Sequence, residues 1–137
     1  MKRKATAVWK GSGKDGKGVL TTQSAVLNVT KYSAGSRFEN EPGTNPEELV
    51  AAAHAGCFAM KLSFVLGEGG FTPEELSVEC TVALIDGSIK TSHLDLTAKI
   101  PGITQDKFDA AAKNAKENCP ISKSLTATVT LDAKLVS

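Results

Sequence analysis

The chain has 137 residues, enough for one domain with a real core, and 41% of them are hydrophobic against 23% charged. Formal net charge is +1, and no basic stripe with interleaved aromatics appears, so nucleic acid is not an expected partner. The basic N-terminal residues have no apolar segment behind them and do not read as a secretory signal. Three cysteines, Cys57, Cys80 and Cys119, are an odd number without close pairing. That speaks against a disulfide framework, makes a cytoplasmic, thiol-reducing compartment the expectation, and leaves thiol chemistry open.

In chain order, residues 4–10 alternate as a strand, GSGKDGKG reads as a turn, and residues 19–30 read as a second strand of a hairpin. Residues 31–45, rich in Gly, Ser, Asn and Pro, read as a long loop of the kind that often carries function. A helix follows over residues 45–67. Asn45 is its expected N-cap, Pro46 suits its first position, and Glu47 and Glu48 complement the dipole. Leu49, Ala53, Cys57, Met60 and Phe64 form one apolar stripe, yet the side carrying Val50, Ala52, Ala59 and Leu62 is hardly polar either. With His54 and Lys61 inside it, the segment is a better buried helix than a membrane span. A helix apolar nearly all round must be covered on most sides, so a partner subunit is expected to supply part of the cover. Two strands about an Asp86-Gly87 turn come next, then an amphipathic helix capped by Thr104 and ending at Cys119, then a last strand. The order β-β-α-β-β-α-β, rich in hairpins, predicts an α+β fold with mainly antiparallel sheets around a central apolar helix, as a single domain over 1–137.

Cys57 has two readings: a small buried hydrophobe in an Ala-rich helix, or a reactive thiol. Reactivity requires a thiolate, and Cys57 lies too far from the helix N-terminus for the dipole to supply one. A cation must come from elsewhere. The chain has only two arginines, Arg3 and Arg37. Arg37 is either a solvated loop residue or a planar fork able to hold an anion and a carboxylate together. Glu47 is either that carboxylate or a simple N-terminal helix charge. Cys119, before Pro120, is a helix-end core residue or a second thiol able to resolve an oxidised Cys57. Cys80 alternates with Val78 and Val82 and reads as core. His54, one turn before Cys57, opens a Cys–His hydrolase reading, but no third orienting residue is visible. No ligand spacing supports a metal site and no glycine pattern supports a nucleotide.

Taken together, RFENEPGTNPEELVAAAHAGCFAMKLSFVLGEGGFTP and AKENCPISKSL resemble the OsmC/Ohr family of thiol peroxidases. The arginine in an R-F-E segment just before the helix resembles the osmotically inducible OsmC branch. The resemblance covers nearly the whole chain and implies an intertwined homodimer. It also implies roles: Cys57 as peroxidatic thiol, Cys119 as resolving thiol, Arg37 as thiolate and peroxide partner, Glu47 as the group fixing Arg37. Organic hydroperoxides are the implied substrates and small dithiols or protein-bound lipoyl groups the implied reductants, with no metal, flavin or other cofactor. An apolar lining from Phe58, Met60 and Phe64 would favour alkyl hydroperoxides. The rival to this reading is a non-catalytic dimer whose groove binds a hydrophobic ligand and whose cysteines sense oxidation.

Glu47 and Cys57 are ten residues apart, roughly 15 Å along a continuous helix at ~1.5 Å per residue. One arginine bridging both within a chain would be strained. A two-fold dimer with antiparallel helices removes the difficulty, because Glu47 of one chain can approach Cys57 of the other. The expectation is two composite sites, each with both thiols from one chain and Glu47 with Arg37 from its partner.

Overall fold

The computed structural model describes residues 1–137 as two compact units, Met1–Leu49 and Val50–Ser137. In the first, β1 (Ala5–Lys10), β2 (Lys17–Thr22) and β3 (Thr30–Tyr32) form an antiparallel sheet in that order, followed by α1 (Ala34–Phe38) and the start of α2 (Pro46–Glu68). The single strand expected over residues 19–30 is thus two strands. Hydroxyls at the end of β2 and just after it divert the intervening backbone from the ladder: Leu27 N–H donates to Thr22 Oγ1, Val26 N–H to Ser24 Oγ and Val29 N–H to Thr21 Oγ1. Ala25 and Val29 also take positive φ.

The expected loop over residues 31–45 contains both the end of β3 and the short helix α1. A capping box starts α1: Ser36 N–H donates to the Ser33 hydroxyl while Ser33 N–H donates to the Ser36 hydroxyl. Asn45 caps α2 as expected, accepting from Glu48 N–H at 2.8 Å, while its amide donates to the Ser36 carbonyl and ties the two helix ends together.

In the second unit, β4 (Glu75–Ile85) and β5 (Ser88–Lys99) are antiparallel. Asp86 and Gly87 both have positive φ, the backbone a two-residue turn demands. After α3 (Gln105–Asn118), capped by the Thr104 hydroxyl, and the single turn α4 (Pro120–Ser124), β6 (Thr128–Val136) joins β5 in parallel. The fold class is α+β as expected, with one antiparallel and one mixed three-stranded sheet.

The core of this unit is built by Phe58, Leu62 and Leu66 of α2 against Leu94, Leu96 and Ala98 of β5 and Phe108, Ala112 and Ala115 of α3. The stripe that faces inward on α2 is therefore His54, Phe58, Leu62 and Leu66. The stripe read from the sequence is the other face: Leu49 and Cys57 are half-buried, Ala53 is exposed, and Met60 and Phe64 are about two-thirds exposed. Phe58, expected to line a substrate pocket, is fully buried and packs the core instead. α2 has the length and hydropathy of a membrane-crossing helix.

Candidate active site

Two clusters hold the residues singled out from the sequence, one in each unit. In the first, α1 presents Arg37 in its last turn and α2 presents Glu47 in its first. The Arg37 Nε donates to Glu47 Oε1 and Oε2 at 3.0 and 3.2 Å, and Nη2 donates to Oε1 at 2.7 Å. This fork-to-carboxylate pairing fixes the guanidinium plane and leaves Nη1 without a partner. The Arg37 hydrogen bonds hold the Glu47 carboxyl below the usual carboxylate range, and Glu47 in turn raises Arg37. The Arg37 side chain is 39% exposed, so its guanidinium remains open to solvent.

In the second unit, α2 carries Cys57 on its flank and the α3–α4 junction carries Cys119. The Cys119 Sγ–H donates to Cys57 Sγ at 2.9 Å, across 62 residues of chain. The Cys119 backbone closes α3 by donating to the Ala115 carbonyl, and Pro120 at the first position of α4 stops α3 from continuing. The thiols differ in access: Cys119 is fully buried, Cys57 half-buried. A reagent from solvent meets Cys57 first. All three cysteines are free.

Burial pushes the Cys57 thiol up, and its hydrogen bond with Cys119 adds to this. Two groups pull the other way, the backbone N–H of Ile121 in α4 and the ammonium of Lys61. Lys61 was missed from the sequence, although its i+4 spacing from Cys57 on one helix signals the neighbourhood. Within this unit the thiol remains above its ordinary range, so it lacks the positive charge a strong thiolate nucleophile needs.

His54 does not act as a base toward Cys57. Its Nδ1 is 2.6 Å from Ser92 Oγ and its Nε2 2.7 Å from Ser122 Oγ, so both ring nitrogens are taken. The Cys–His hydrolase reading has no geometry here. Cys80 packs against the core as expected, and its sulfur also contacts Ser92 Oγ at 3.2 Å. Burial raises the Cys80 thiol as well. His93, Asp95 and Asp132 meet on the outer face of β5 and β6, their ring nitrogen and carboxylates about 3.2–3.3 Å apart, as a solvated charge cluster.

The chain as a whole has relatives among known proteins. Residues 38–134 match the family model described as OsmC-like protein. The chain is 45% identical to Peroxiredoxin OsmC of Escherichia coli, over 98% of this chain and 97% of that protein. It is 30% identical to the organic hydroperoxide resistance protein OhrB of Bacillus subtilis, over 86% of this chain and 87% of that one. Among solved structures, OhrB of Bacillus subtilis superposes with a TM-score of 0.67 at 26% identity, covering 97% of this chain and 98% of that one. An OsmC-like protein from Vibrio cholerae shares the fold, with a TM-score of 0.79 at 15% identity over 97% of this chain and 99% of that one. The chain belongs to the OsmC-like protein family.

Proposed function

We propose that this protein is a thiol peroxidase that reduces organic hydroperoxides to alcohols. The observation that carries the reading is the pair of free thiols 2.9 Å apart, one accessible and one buried, in a chain nearly half identical to a peroxiredoxin. The Cys57 thiolate attacks the outer peroxide oxygen. The O–O bond breaks, an alkoxide leaves and takes a proton, and Cys57 becomes a sulfenic acid. The Cys119 sulfur then attacks the Cys57 sulfur, the S–O bond breaks, and water departs with the thiol proton. The product is a Cys57–Cys119 disulfide, formed before further oxidation of Cys57. A dithiol opens it by exchange, recovering both thiols. We take the reductant to be a small dithiol or a protein-bound lipoyl group, and the compartment to be the reducing cytoplasm.

The cation that Cys57 lacks is supplied, in this proposal, by Arg37 of a second copy of the chain. α2 is one unbroken helix from Pro46 to Glu68, so Glu47 and Cys57 stay about 15 Å apart along its axis. The exposed apolar side of α2, with Met60 and Phe64, has the chemistry of a face covered by another helix. An intertwined homodimer brings the Arg37–Glu47 pair of one subunit to the thiols of the other. There the free Nη1 can hold the thiolate and the charge growing on the peroxide oxygens. In this dimer residues 1–137 act as a single OsmC-like domain.

The test is consumption of cumene or tert-butyl hydroperoxide by purified protein with a dithiol reductant. Wild type should turn over steadily, Cys57→Ser not at all, and Cys119→Ser at a small fraction of the wild-type rate with progressive inactivation. Wild type as slow as Cys57→Ser would overturn the peroxidase and leave a non-catalytic binder of hydrophobic ligands.

A further inference from the structure

His54 is the most buried ionisable side chain of α2, and nothing in the thiol cycle uses it. It is fully inaccessible to solvent, it lies one turn ahead of Cys57 on the same helix, and it is the node of a hydrogen-bond network with no unsatisfied member. Its two nitrogens face in opposite directions. Nδ1 meets Ser92 of β5 at 2.6 Å, and Ser92 also contacts Cys80; Nε2 meets Ser122 of α4 at 2.7 Å. With a neutral ring, one nitrogen donates and the other accepts, and the two serine hydroxyls supply the matching roles.

The Ser122 side of this network bears on the chemistry. α4 is only five residues long, from Pro120 to Ser124. At its ends the Lys123 N–H donates to the Cys119 carbonyl at 3.1 Å and the Leu125 N–H to the Ile121 carbonyl at 3.2 Å. So short a turn has little intrinsic stability. Yet it carries Cys119 at its N-cap, the Ile121 N–H that faces the Cys57 sulfur, and Ser122 next to it. The hydrogen bond between Ser122 and His54 anchors this turn directly to the helix that carries Cys57.

We propose that His54 and Ser122 are positioning residues for the peroxidase cycle proposed above: their hydrogen bond aims α4 at Cys57 and so sets the rate at which Cys119 resolves the sulfenic acid. The bond ties attacker and target to one rigid node, and the resolving sulfur must travel only from 2.9 Å to a bond length of about 2.05 Å. Ser92, on the other nitrogen of the ring, anchors His54 to the sheet, and its hydroxyl bonds His54 and Cys80 and no residue of α4.

The experiment compares wild type, Ser122→Ala and Ser92→Ala after one equivalent of cumene hydroperoxide, by rapid quench and intact mass. The disulfide has lost two hydrogens, whereas over-oxidised Cys57 has gained two oxygens as sulfinic acid. In Ser122→Ala the first oxidation of Cys57 should proceed within a few-fold of wild type. Disulfide formation should slow about tenfold, the factor that about 1.4 kcal/mol commands. The sulfinic product should rise accordingly under excess peroxide. Ser92→Ala loses a hydrogen bond of the same kind and should partition like wild type, whatever its melting temperature. His54→Gln, whose amide can reach Ser122, should resolve faster than His54→Asn, whose shorter amide cannot. Ser122→Ala resolving as fast as wild type would overturn the proposal, and so would equal resolution defects in Ser92→Ala and Ser122→Ala. Wild type that forms no disulfide at all overturns the peroxidase reading itself, a result distinct from either.

Discussion

The Arg37–Glu47 pair separates two effects that are easily confused. Its folded-state carboxylate lies below the usual range because of Arg37, so the stability it contributes is present above the unfolded carboxylate pKa of about 4.3 and lost as pH falls through the lowered folded value. The guanidinium is more than a third exposed, and solvent screening holds that contribution to at most about 1 kcal/mol. Glu47→Gln should therefore shift the urea midpoint slightly at pH 7, and by less as the pH falls below the unfolded carboxylate range. Its effect on turnover should exceed its effect on stability, about tenfold or more in kcat/KM, because the carboxylate fixes the plane of the fork. Thiolate absorbance offers a second check: Lys61→Met should move the Cys57 titration to higher pH, and under the proposed composite site Arg37→Ala should move it further still. The scarcity of arginine made Arg37 legible in the sequence, and helix-start chemistry made Glu47 so. Ser122 and Ser92 were not legible, because a hydroxyl gains meaning only from what the fold places opposite it, here a histidine 68 and 38 residues away.

At the scale of elements, α2 shows why one periodicity can conceal another. Both its faces are apolar, so no polar stripe tells which one turns inward, and the half that packs the core was the half not singled out. Phe58→Ala should cost about 3–5 kcal/mol and lower the melting temperature sharply, as for any buried aromatic. Gly56 makes a contrasting case. It sits mid-helix, exposed, and a Cβ built there meets nothing within 4 Å. In an isolated chain Gly56→Ala would stabilise the helix by about 0.5–1 kcal/mol. If a second helix approaches that face closely, the same methyl should instead weaken self-association, which sedimentation at a series of concentrations would detect. The caps at Asn45 and Thr104 and the Asp86-Gly87 turn were legible because their chemistry is local. The break between β2 and β3 and the parallel pairing of β6 were not. The first depends on hydroxyls competing with a ladder, and the second on which edge of a sheet the chain returns to.

At the scale of the whole molecule, the proposed composite site makes a demand that no single-chain site makes. Let one chain carry Cys57→Ser with Cys119→Ser, and a second carry Arg37→Ala with Glu47→Ala. Each homodimer alone is expected to be inactive, the first lacking its thiols and the second its cation. In a mixed dimer with crossed sites, one site receives the intact thiols of the second chain and the intact Arg37–Glu47 pair of the first, while the other receives neither. Unfolding and refolding an equal mixture gives about half mixed dimers, each with one working site in two, so about a quarter of wild-type turnover should return. If all four residues of a site came from the same chain, every site in every mixed dimer would lack one half of the machinery, and no activity would return. Recovery thus reports the path of the arginine directly. Under the proposed composite site, a Cys57 thiol that burial holds up within its own unit should titrate lower in the assembled wild-type dimer than in the Arg37→Ala, Glu47→Ala chain, which thiolate absorbance would read.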